Sequence, residues 1–380
     1  MSKRRICVFC ETWESGGIES FLTGVLLRQD MAGIEIDLAV SELRESVYTK
    51  PLQDHGIRLI PLSGSSRRVS ENWARFRRLL RERSYDVVYL NAFQALSLRY
   101  GLLARRAGVP VRILHSHNTA LRPSLLRPLK LLVHRIARGL YGGTGTEYFA
   151  CSDEAAAFLF PSRLIRAGRV RFLPNGIETE RFRFRSEVRG RLRAELGLED
   201  RFVLGHIGRL CSQKNQLFLL EVLAALLPAR PNACFLLVGE GEQLSALEER
   251  ADELGIRDRV CFCGVTDKPQ ELLWAMDAFL FPSLFEGLGI ALVEAQCAGL
   301  PTLCSEHVPG QAVCTELVRS VPLEKGAERW AAAASALRAP ADRAVYASAV
   351  KEAGFDVKDV SLILRDALTN GHSAGENKNG

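Results

Sequence analysis

Short apolar runs alternate with longer amphipathic or apolar segments throughout the second half of the chain. The short runs are three to six residues long and predict buried strands, at 202–207, 233–238, 260–263, 278–281 and 302–304. The segments between them have helical length and periodicity, at 215–227, 243–254, 269–276 and from about 288 to Gly299. Regular alternation of strand and helix predicts a parallel β-sheet covered on both faces.

The first half repeats this alternation, which predicts a second Rossmann-like domain. Its strands are expected at 5–10, 34–40, 58–61, 85–90, 111–114, 148–151 and 170–173. A Pro-Asn-Gly-Ile turn at 174–177 and the Arg-rich run 178–193 are interpreted as the crossing between domains. We therefore expect an N-terminal domain at 1–176, a C-terminal domain at 177–354, a helix at about 355–369 that packs back on the first domain, and a disordered tail at 370–380.

Composition fits two ordinary globular domains. The chain has 380 residues, of which 47% are hydrophobic and 25% charged. No apolar run approaches the ~20 residues that span a bilayer, and the run after Lys3, Arg4 and Arg5 is too short for a secretory signal. A cytoplasmic protein is expected, either free in solution or at the inner face of the cell membrane.

The ten cysteines are scattered, mostly inside apolar segments. The Cys7 and Cys10 spacing is zinc-like, but no second pair with suitable spacing accompanies it. We interpret the cysteines, including Cys261 and Cys263, as reduced, buried, small apolar residues.

Charge is distributed unevenly between the two halves. Residues 1–180 contain 27 Lys and Arg against 17 Asp and Glu, whereas the remaining 200 residues contain 23 Lys and Arg against 27 Asp and Glu.

Within the basic half, residues 121–141 place leucines at helical spacing with basic residues between them. This segment is either a surface helix packed on its own core or a contact with an anionic membrane. Nucleic acid is not expected as a partner, because the arginines lack interleaved exposed aromatics.

Four charged residues in the second half form a candidate site. Arg209 and Lys214 follow the strand at 202–207, and Glu286 follows the strand at 278–281. Glu294 lies in the nearly apolar helix after it, where an unpartnered carboxylate is costly. The carboxyl ends of parallel strands share one sheet edge, so cations and acids should meet there. Such a set suits a diphosphate flanked by hydroxyl-rich groups, as in a nucleotide sugar; a dinucleotide is disfavoured because no G-x-G-x-x-G follows an early strand.

Several short motifs are spread along the whole chain: Ser-Gly-Gly-Ile-Glu at 15–19, Ile-Leu-His-Ser-His-Asn at 113–118, Pro-Asn-Gly-Ile at 174–177, Gly-Arg at 208–209 with Lys-Asn at 214–215, Val-Gly-Glu-Gly at 238–241, and Phe-Pro-Ser at 281–283 with Glu286 and Glu294. With these motifs the chain resembles glycosyltransferase family 4, the retaining enzymes with the GT-B fold of two Rossmann-like parallel-sheet domains that face a cleft. The His-Ser-His-Asn and Ser-Leu-Phe-Glu-Gly-Leu segments are most similar to the branch that builds bacterial capsular, exopolysaccharide and O-antigen units. The segment Gly-Gln-Ala-Val at 310–313 departs from the family pattern, so no site is assigned between Glu306 and Glu316.

The resemblance implies a role for each site residue. The donor diphosphate would be bound by Arg209 and Lys214, the ribose hydroxyls by Glu294, and the donor sugar by Glu286 with the amides of Gly287, Leu288 and Gly289. His117, rather than His115, matches the active-site histidine. Close approach of the first loop would depend on Gly16 and Gly17, and Asn175 completes the ligand-binding set.

The resemblance also implies the reaction. A sugar would move from a UDP-sugar, with a GDP-sugar as the alternative donor, to a glycan or polyprenyl-diphosphate-linked acceptor, with retention of anomeric configuration and without a bound metal. Two alternatives remain open from the residues: a nucleotide-sugar 2-epimerase of the same architecture, and a non-catalytic nucleotide-sugar-binding subunit.

Overall fold

The computed structural model describes residues 3–14, 16–121 and 127–370. The chain divides into two compact units, residues 1–176 with 357–380, and residues 177–356. The tail expected at 370–380 lies outside the described residues except for Asn370, which ends a helix. Ser15 and Leu125, which belong to two of the sequence motifs, also lie outside them.

Within its described residues, the first unit contains one parallel sheet of seven strands in the order β3-β2-β1-β4-β5-β6-β7. The strands are β1 (Arg4–Trp13), β2 (Ile34–Leu43), β3 (Arg58–Pro61), β4 (Val87–Ala92), β5 (Val111–Ser116), β6 (Glu147–Ala150) and β7 (Val170–Phe172). The helices between them are α1 (Gly17–Leu26), α2 (Thr49–Asp54), α3 (Val69–Arg83), α4 (Arg99–Arg106), α5 (Arg127–Tyr141), α6 (Asp153–Leu159) and α7 (Ser162–Arg166). Strand order reverses between β1 and β4, where ligands bind in open sheets of this kind.

The second unit has the same order of strands, β10-β9-β8-β11-β12-β13, in its parallel sheet. The strands are β8 (Phe202–Ile207), β9 (Ala233–Val238), β10 (Val260–Gly264), β11 (Ala278–Phe281), β12 (Thr302–Cys304) and β13 (Val318–Ser320). The helices are α8 (Thr179–Phe182), α9 (Ser186–Glu195), α10 (Gln216–Leu226), α11 (Leu244–Glu253), α12 (Pro269–Ala275), α13 (Ile290–Cys297), α14 (Gly326–Ser335) and α15 (Tyr346–Val350). The predicted parallel α/β class is confirmed for both units. The sequence pattern missed β13, an exposed edge strand with a single apolar residue.

The run 178–193 is not the connecting segment that its polar composition suggested. It forms α8 and most of α9, and two of its arginines, Arg189 and Arg193, face inward on the second unit. Arg189 and Arg193 both contact Asp277, at 2.6 Å and 3.1 Å, and donate to the carbonyl of Ala275 at the end of α12. Arginine can therefore be part of a domain interior when a carboxylate and helix-end carbonyls satisfy its donors.

The last helix, α16 (Val357–Asn370), belongs to the first unit and packs against α1. The hydroxyl of Ser361 donates to Val25 O, and Gln29 Nε2 donates to Ser361 Oγ at 3.0 Å. A Cβ on Gly176 would lie 2.8 Å from the Cα of Val357, so this glycine permits the close approach of the two chain segments.

Helix α5 is amphipathic, but its apolar stripe does not face the core. Five of its apolar residues are 42 to 64% exposed: Leu129, Leu132, Val133, Ile136 and Leu140. The helix instead contacts the unit through His134 and Ala137, which are buried. The interpretation of this segment as a helix whose leucines pack on the core is therefore wrong. None of the helices in the described part of the chain is long and apolar enough to cross a membrane.

The prediction that all cysteines are buried is correct for most of them and wrong for a pair on β10. Cys261 is exposed and Cys263 is half-buried, as is Cys314, whereas Cys7 and Cys10 lie in the core of the first unit. Strand β10 forms an edge of its sheet, so one side of it lacks a neighbouring strand that would cover its side chains.

Candidate functional site

The candidate site of the second unit lies where its strand order reverses, at the carboxyl ends of β8 and β11. These strands are neighbours in the sheet, and backbone and side-chain hydrogen bonds join the loops that follow them. Leu284 N donates to Gln213 O at 2.8 Å, and Gln213 Nε2 donates to Phe285 O at 2.9 Å. The tertiary structure thus holds the Arg209–Lys214 segment against the Glu286 segment.

Lys214 and Glu286 form an ion pair in this junction. The Nζ atom lies 2.6 Å from Glu286 Oε1, and the two side chains are only 17% and 7% exposed. The ammonium also lies 5.0 Å from the ring centre of Phe281. Removing two charges from water is costly unless they compensate each other. The pairing therefore explains how an acid is tolerated at this buried position.

Arg209 is exposed at the start of the same loop. Its carbonyl accepts a hydrogen bond from Gln216 Nε2 at 2.8 Å, so the backbone beneath the guanidinium is held in place. Arg209 and Lys214 come from one loop, and an exposed guanidinium beside a buried ammonium can bind a polyanion at two points.

Gly239 and Gly241 allow β9 and its loop to approach the Arg209 loop. A Cβ on Gly239, whose φ is +132°, would lie 2.1 Å from Gly208 O, and a Cβ on Gly241 would lie 2.2 Å from Leu210 O. Leu210 N donates to Glu240 O at 2.8 Å across this contact. The Val-Gly-Glu-Gly motif therefore shapes the loop that carries the cations.

Two buried residues that sequence reasoning missed support the same loop. Gln216 is fully buried, and its Oε1 accepts from Cys211 N at 3.3 Å. His206 donates through Nδ1 to Leu280 O at 2.9 Å, so Nε2 accepts from Gln216 Nε2 at 3.3 Å. Burial lowers the pKa of His206 to about 3, which keeps the ring neutral. Two sequence signals could have identified these residues. Gln216 is a polar residue at the first position of a helix, and His206 is a polar residue inside an apolar strand.

Helix α13 begins at Ile290, two residues later than predicted. Gly289 has φ +95°, in the left-handed region, and a Cβ there would lie 3.1 Å from the ring of Phe281. Gly287, Leu288 and Gly289 therefore form a loop before the helix, and Leu288 is buried in it. Glu286 lies further from the helix end than expected and is held by Lys214.

Glu294 lies in the middle of α13 among buried neighbours, as predicted. Burial raises the pKa of its carboxyl to about 7, and the charge of Arg181 acts in the opposite direction. An acid with a pKa this high can ionise when a ligand supplies hydrogen-bond donors. Glu294 can therefore accept hydrogen bonds from hydroxyl groups at neutral pH.

In the first unit, His117 follows β5 and is held between two asparagine side chains. Its Nε2 lies 2.9 Å from Asn91 Oδ1, and its Nδ1 lies 3.0 Å from Asn175 Oδ1. Asn91 Nδ2 donates to Phe9 O, which turns the Asn91 oxygen toward His117. Burial lowers the pKa of His117 to about 3, so the ring carries one proton, which we assign to Nε2. One proton cannot be donated to two oxygens, so we assign the Asn175 side-chain amide with its nitrogen and oxygen exchanged, which lets its nitrogen donate to Nδ1.

His115 lies behind His117 and is fully buried. Tyr89 Oη donates to its Nδ1 at 2.7 Å, and its Nε2 donates to Leu173 O at 3.2 Å. Burial lowers the pKa of His115 well below its usual value. His115 is 0% exposed against 6% for His117, so His115 lies deeper in the core and packs behind His117.

The loop after β1 contains Gly16, and Gly17 begins α1. A Cβ on Gly16 would lie 2.6 Å from Glu19 Oε2, because this carboxylate folds back over the start of the helix. Phe21 of the same helix packs on His117, with ring centres 5.4 Å apart. The Gly-Gly segment therefore positions the helix that covers His117.

The predicted site residues are divided between the two units. The first contains Gly16, Gly17, His117 and Asn175, and the second contains Arg209, Lys214, Gly287 to Gly289, Glu286 and Glu294. Among residues 3–14, 16–121 and 127–370, no group of three or more His, Cys, Asp or Glu side chains is placed to hold a metal ion.

Comparison with known proteins identifies the family. Residues 16–176 match the glycosyl transferase 4-like domain, and residues 188–319 match glycosyl transferases group 1. The chain is 31% identical to the putative glycosyltransferase EpsF of Bacillus subtilis (strain 168) over 350 residues, 89% of each protein. It is 28% identical over 233 residues to the UDP-Gal:alpha-D-GlcNAc-diphosphoundecaprenol alpha-1,3-galactosyltransferase of Escherichia coli, covering 60% of this chain and 59% of that enzyme.

A solved structure supports the same assignment at the level of the fold. Anabaena HepE, crystallised with UDP and glucose, aligns with a TM-score of 0.77 and 20% identity over 97% of this chain and 100% of HepE. Because the chain matches both domain families and EpsF over most of its length, it belongs to glycosyltransferase family 4, the enzymes of the GT-B fold.

Proposed function

We propose that this enzyme is a retaining hexosyl- or N-acetylhexosaminyl-transferase that uses a UDP-sugar in cell-surface polysaccharide biosynthesis. The observation that carries the proposal is the buried Lys214–Glu286 pair beside Arg209, at the point where strand order reverses in the second unit. Ligands of doubly wound sheets bind at this point. Residues 177–356 form the donor domain, and residues 1–176 with 357–370 form the acceptor domain.

The diphosphate of the donor contacts Arg209 and Lys214. When the bond between the anomeric carbon and the phosphate oxygen breaks, negative charge accumulates on the leaving nucleoside diphosphate. Two cations in a partly water-excluded loop stabilise this charge more than the charge of the ground state, which lowers the barrier. The acceptor hydroxyl attacks the same face of the sugar, and its proton passes to the departing phosphate.

The two acids of the site bind hydroxyl groups. Glu286, which is paired with Lys214, accepts hydrogen bonds from the donor sugar, and the amides of Gly287 to Gly289 donate to the same ligand. Glu294 accepts from the ribose hydroxyls, because these donors compensate the burial of its charge. His117 acts as a neutral hydrogen-bonding group, since its low pKa excludes the imidazolium near pH 7.

The UDP-bound HepE structure, which aligns over 97% of this chain, supports the choice of a UDP-sugar. Relatives are named for both kinds of donor: the E. coli relative for UDP-galactose, and a relative from Mycolicibacterium smegmatis, 31% identical over 239 residues, for GDP-mannose. EpsF, which matches over 350 residues, is named without a donor.

The acceptor is a glycan or a sugar linked to a polyprenyl diphosphate, reached at an anionic membrane surface. Helix α5 supports this part of the proposal, because its stripe of Leu129, Leu132, Val133, Ile136 and Leu140 is exposed and Arg127, Lys130 and Arg135 are exposed beside it. Apolar side chains can enter the headgroup region while the basic ones bind lipid phosphates. The enzyme then acts at the cytoplasmic face of the membrane.

The proposal is tested by incubating the protein with a panel of UDP- and GDP-sugars, with and without undecaprenyl-diphosphate-linked sugar acceptors. Release of nucleoside diphosphate with extension of the acceptor, and an unchanged anomeric configuration by NMR, is the expected result. Conversion of the donor sugar without acceptor would identify a 2-epimerase, and donor binding with no turnover under any condition would identify a binding subunit. Either of these outcomes would overturn the proposal.

A further inference from the structure

A pair of thiols lies on the surface of the second unit, outside the candidate site. The Sγ atoms of Cys261 and Cys263 on β10 are 3.7 Å apart. Cys261 is exposed and Cys263 is half-buried. Residues two apart in a strand point to the same face, and β10 is an edge strand, so both thiols can meet a ligand from solvent.

A bulge in β10 brings the two side chains together. Phe262 pairs with Leu237 of β9 and Gly264 pairs with Val238, so Cys263 is an extra residue without its own partner. Gly264 follows with φ +64°, in the left-handed region that glycine adopts without strain. Bulges redirect side chains in this way, and here the redirected side chain is a thiol beside a second thiol.

The distance between the two sulfurs matches the sulfur–sulfur distance in a tetrahedral metal–thiolate complex. A metal–sulfur bond of about 2.3 Å and a tetrahedral angle place two thiolate sulfurs about 3.8 Å apart. The observed separation is 3.7 Å, so both sulfurs can bind one cation without movement of the strand. Soft thiolate ligands select thiophilic cations over Mg²⁺ or Ca²⁺.

We propose that Cys261 and Cys263 form a bidentate thiolate site for one thiophilic d¹⁰ cation of the class of Zn²⁺, Cd²⁺ or Cu⁺. Binding forms two metal–sulfur bonds, releases one proton from each thiol to solvent and involves no change of oxidation state. Water fills the remaining coordination positions. The site is separate from the glycosyl-transfer residues and does not depend on the proposed reaction.

The site is connected to the loop that carries Arg209 through Gly264 and Gly239. Gly264 O accepts a hydrogen bond from Gly239 N at 2.8 Å, and Gly239 is the glycine that packs against Gly208 O. A cation held by both thiols locks the bulge between Cys261 and Gly264. The Gly239–Gly264 hydrogen bond then opens less often. The loop that carries Arg209 is therefore better ordered when the metal is bound.

The test is titration of the reduced, metal-free full-length protein with Cd²⁺, followed by calorimetry and by the ultraviolet charge-transfer absorption of the cadmium–thiolate bond. One Cd²⁺ per chain is expected, and Cys261→Ser or Cys263→Ser should each weaken binding by about tenfold or more, because a chelate loses one of two ligands. Cys314→Ser is the matched control, since Cys314 is half-buried and its Sγ already lies 3.4 Å from Gln296 Oε1. It should bind Cd²⁺ as the wild type does.

The site is overturned if the double variant Cys261→Ser/Cys263→Ser binds Cd²⁺ with wild-type affinity and stoichiometry. Both positions are at least partly exposed, so serine should leave the melting temperature unchanged, and folding can be checked independently. Hydrogen exchange tests the link to the loop. The Gly239 amide should exchange more slowly with Cd²⁺ bound, and an unchanged rate in the Cd²⁺-bound wild type would overturn that link.

Discussion

The Nζ atom of Lys214 lies 2.6 Å from Oε1 of Glu286, although the two residues are 72 positions apart and follow different strands. The pair joins the loop after β8 to the loop after β11. It also places one cation and one acid at the position where a ligand is expected to bind. Stability and donor binding therefore depend on the same contact, and substitution can separate them.

Lys214→Ala should reduce nucleoside diphosphate release by about 100-fold or more, since it removes one charge that stabilises the leaving group. It should also lower the free energy of unfolding by about 3 kcal/mol, because the buried Glu286 carboxylate loses the ammonium that compensates its charge. The double variant Lys214→Met/Glu286→Gln should regain much of the stability but no activity. Denaturant unfolding and a diphosphate-release assay measure the two effects.

Lys268→Ala is the matched control for this substitution. Lys268 is in the same unit and pairs with Glu271 at 3.6 Å, but its side chain is 62% exposed. Its loss should change stability by less than about 1 kcal/mol and leave activity intact. Equal effects of the two alanine substitutions would contradict a special role for Lys214.

Gly239→Ala should weaken nucleotide binding by distorting the Arg209 loop. The added Cβ would lie 2.1 Å from Gly208 O, and φ +132° is unfavourable for alanine, so backbone must move. Gly190→Ala is the control, because a Cβ there meets nothing within 4 Å and alanine favours helix α9 by about 0.5–1 kcal/mol. Isothermal titration with UDP should show weaker binding only for the Gly239 variant; equal affinity in all three proteins would refute the expectation.

Glu294 should make the protein less stable as the pH rises. Its pKa is about 7 in the folded protein against an ordinary value of 4.5, so between these values the folded state holds a proton that the unfolded state has lost. The free energy of unfolding should therefore fall by about 1–3 kcal/mol between pH 4.5 and 7 from this group, and remain constant above.

Glu294→Gln should reduce that fall, and Glu324→Gln, at a side chain that is 77% exposed, should not. Chemical denaturation across this pH range measures the difference. Stability curves for wild type and Glu294→Gln that run parallel from pH 4.5 to 7 would show that Glu294 does not titrate as expected.

His117 should not titrate between pH 5 and 8, because burial lowers its pKa to about 3. NMR of protein with ¹⁵N-labelled histidine should show a neutral ring with the proton on Nε2, hydrogen-bonded to Asn91. The signal is assigned as the one missing from His117→Gln. A titration midpoint near 6.5 would mean that the ring is hydrated and that the two asparagines do not enclose it.

Helix α5 should bring the protein to anionic vesicles. Leu132→Ser/Ile136→Ser should reduce flotation with phosphatidylglycerol vesicles several-fold, since two apolar side chains are withdrawn from the headgroup region. Leu362→Ser/Ile363→Ser on α16 is the matched control, with side chains that are 60% and 44% exposed in the same unit. Absence of wild-type flotation at low salt, or equal loss in both variants, would contradict a membrane contact through α5.

Local pattern was enough to predict most of the sheet architecture. Buried parallel strands are continuous apolar runs, so β8, β9, β11 and β12 begin and end where the sequence indicated. The pattern failed for elements that are exposed on one side, and for elements whose buried side chains are polar and paired. It missed β13 at an exposed edge, and it interpreted α9 as a connecting segment because its arginines are polar, although Arg193 is buried against Asp277.

For the site, the sequence by itself singled out Arg209, Lys214, Glu286 and Glu294 as candidates, because these charged residues follow predicted strands or stand in apolar surroundings. Only the tertiary structure decided how they are held: Glu286 by Lys214, the Arg209 loop by Gln216 and His206, and His117 between Asn91 and Asn175. Only the tertiary structure also showed that the apolar residues of α5 are exposed and that Cys261 and Cys263 are not fully buried. Long-range pairing and burial depend on which segments meet in space, and a local pattern of residue types does not encode those distances.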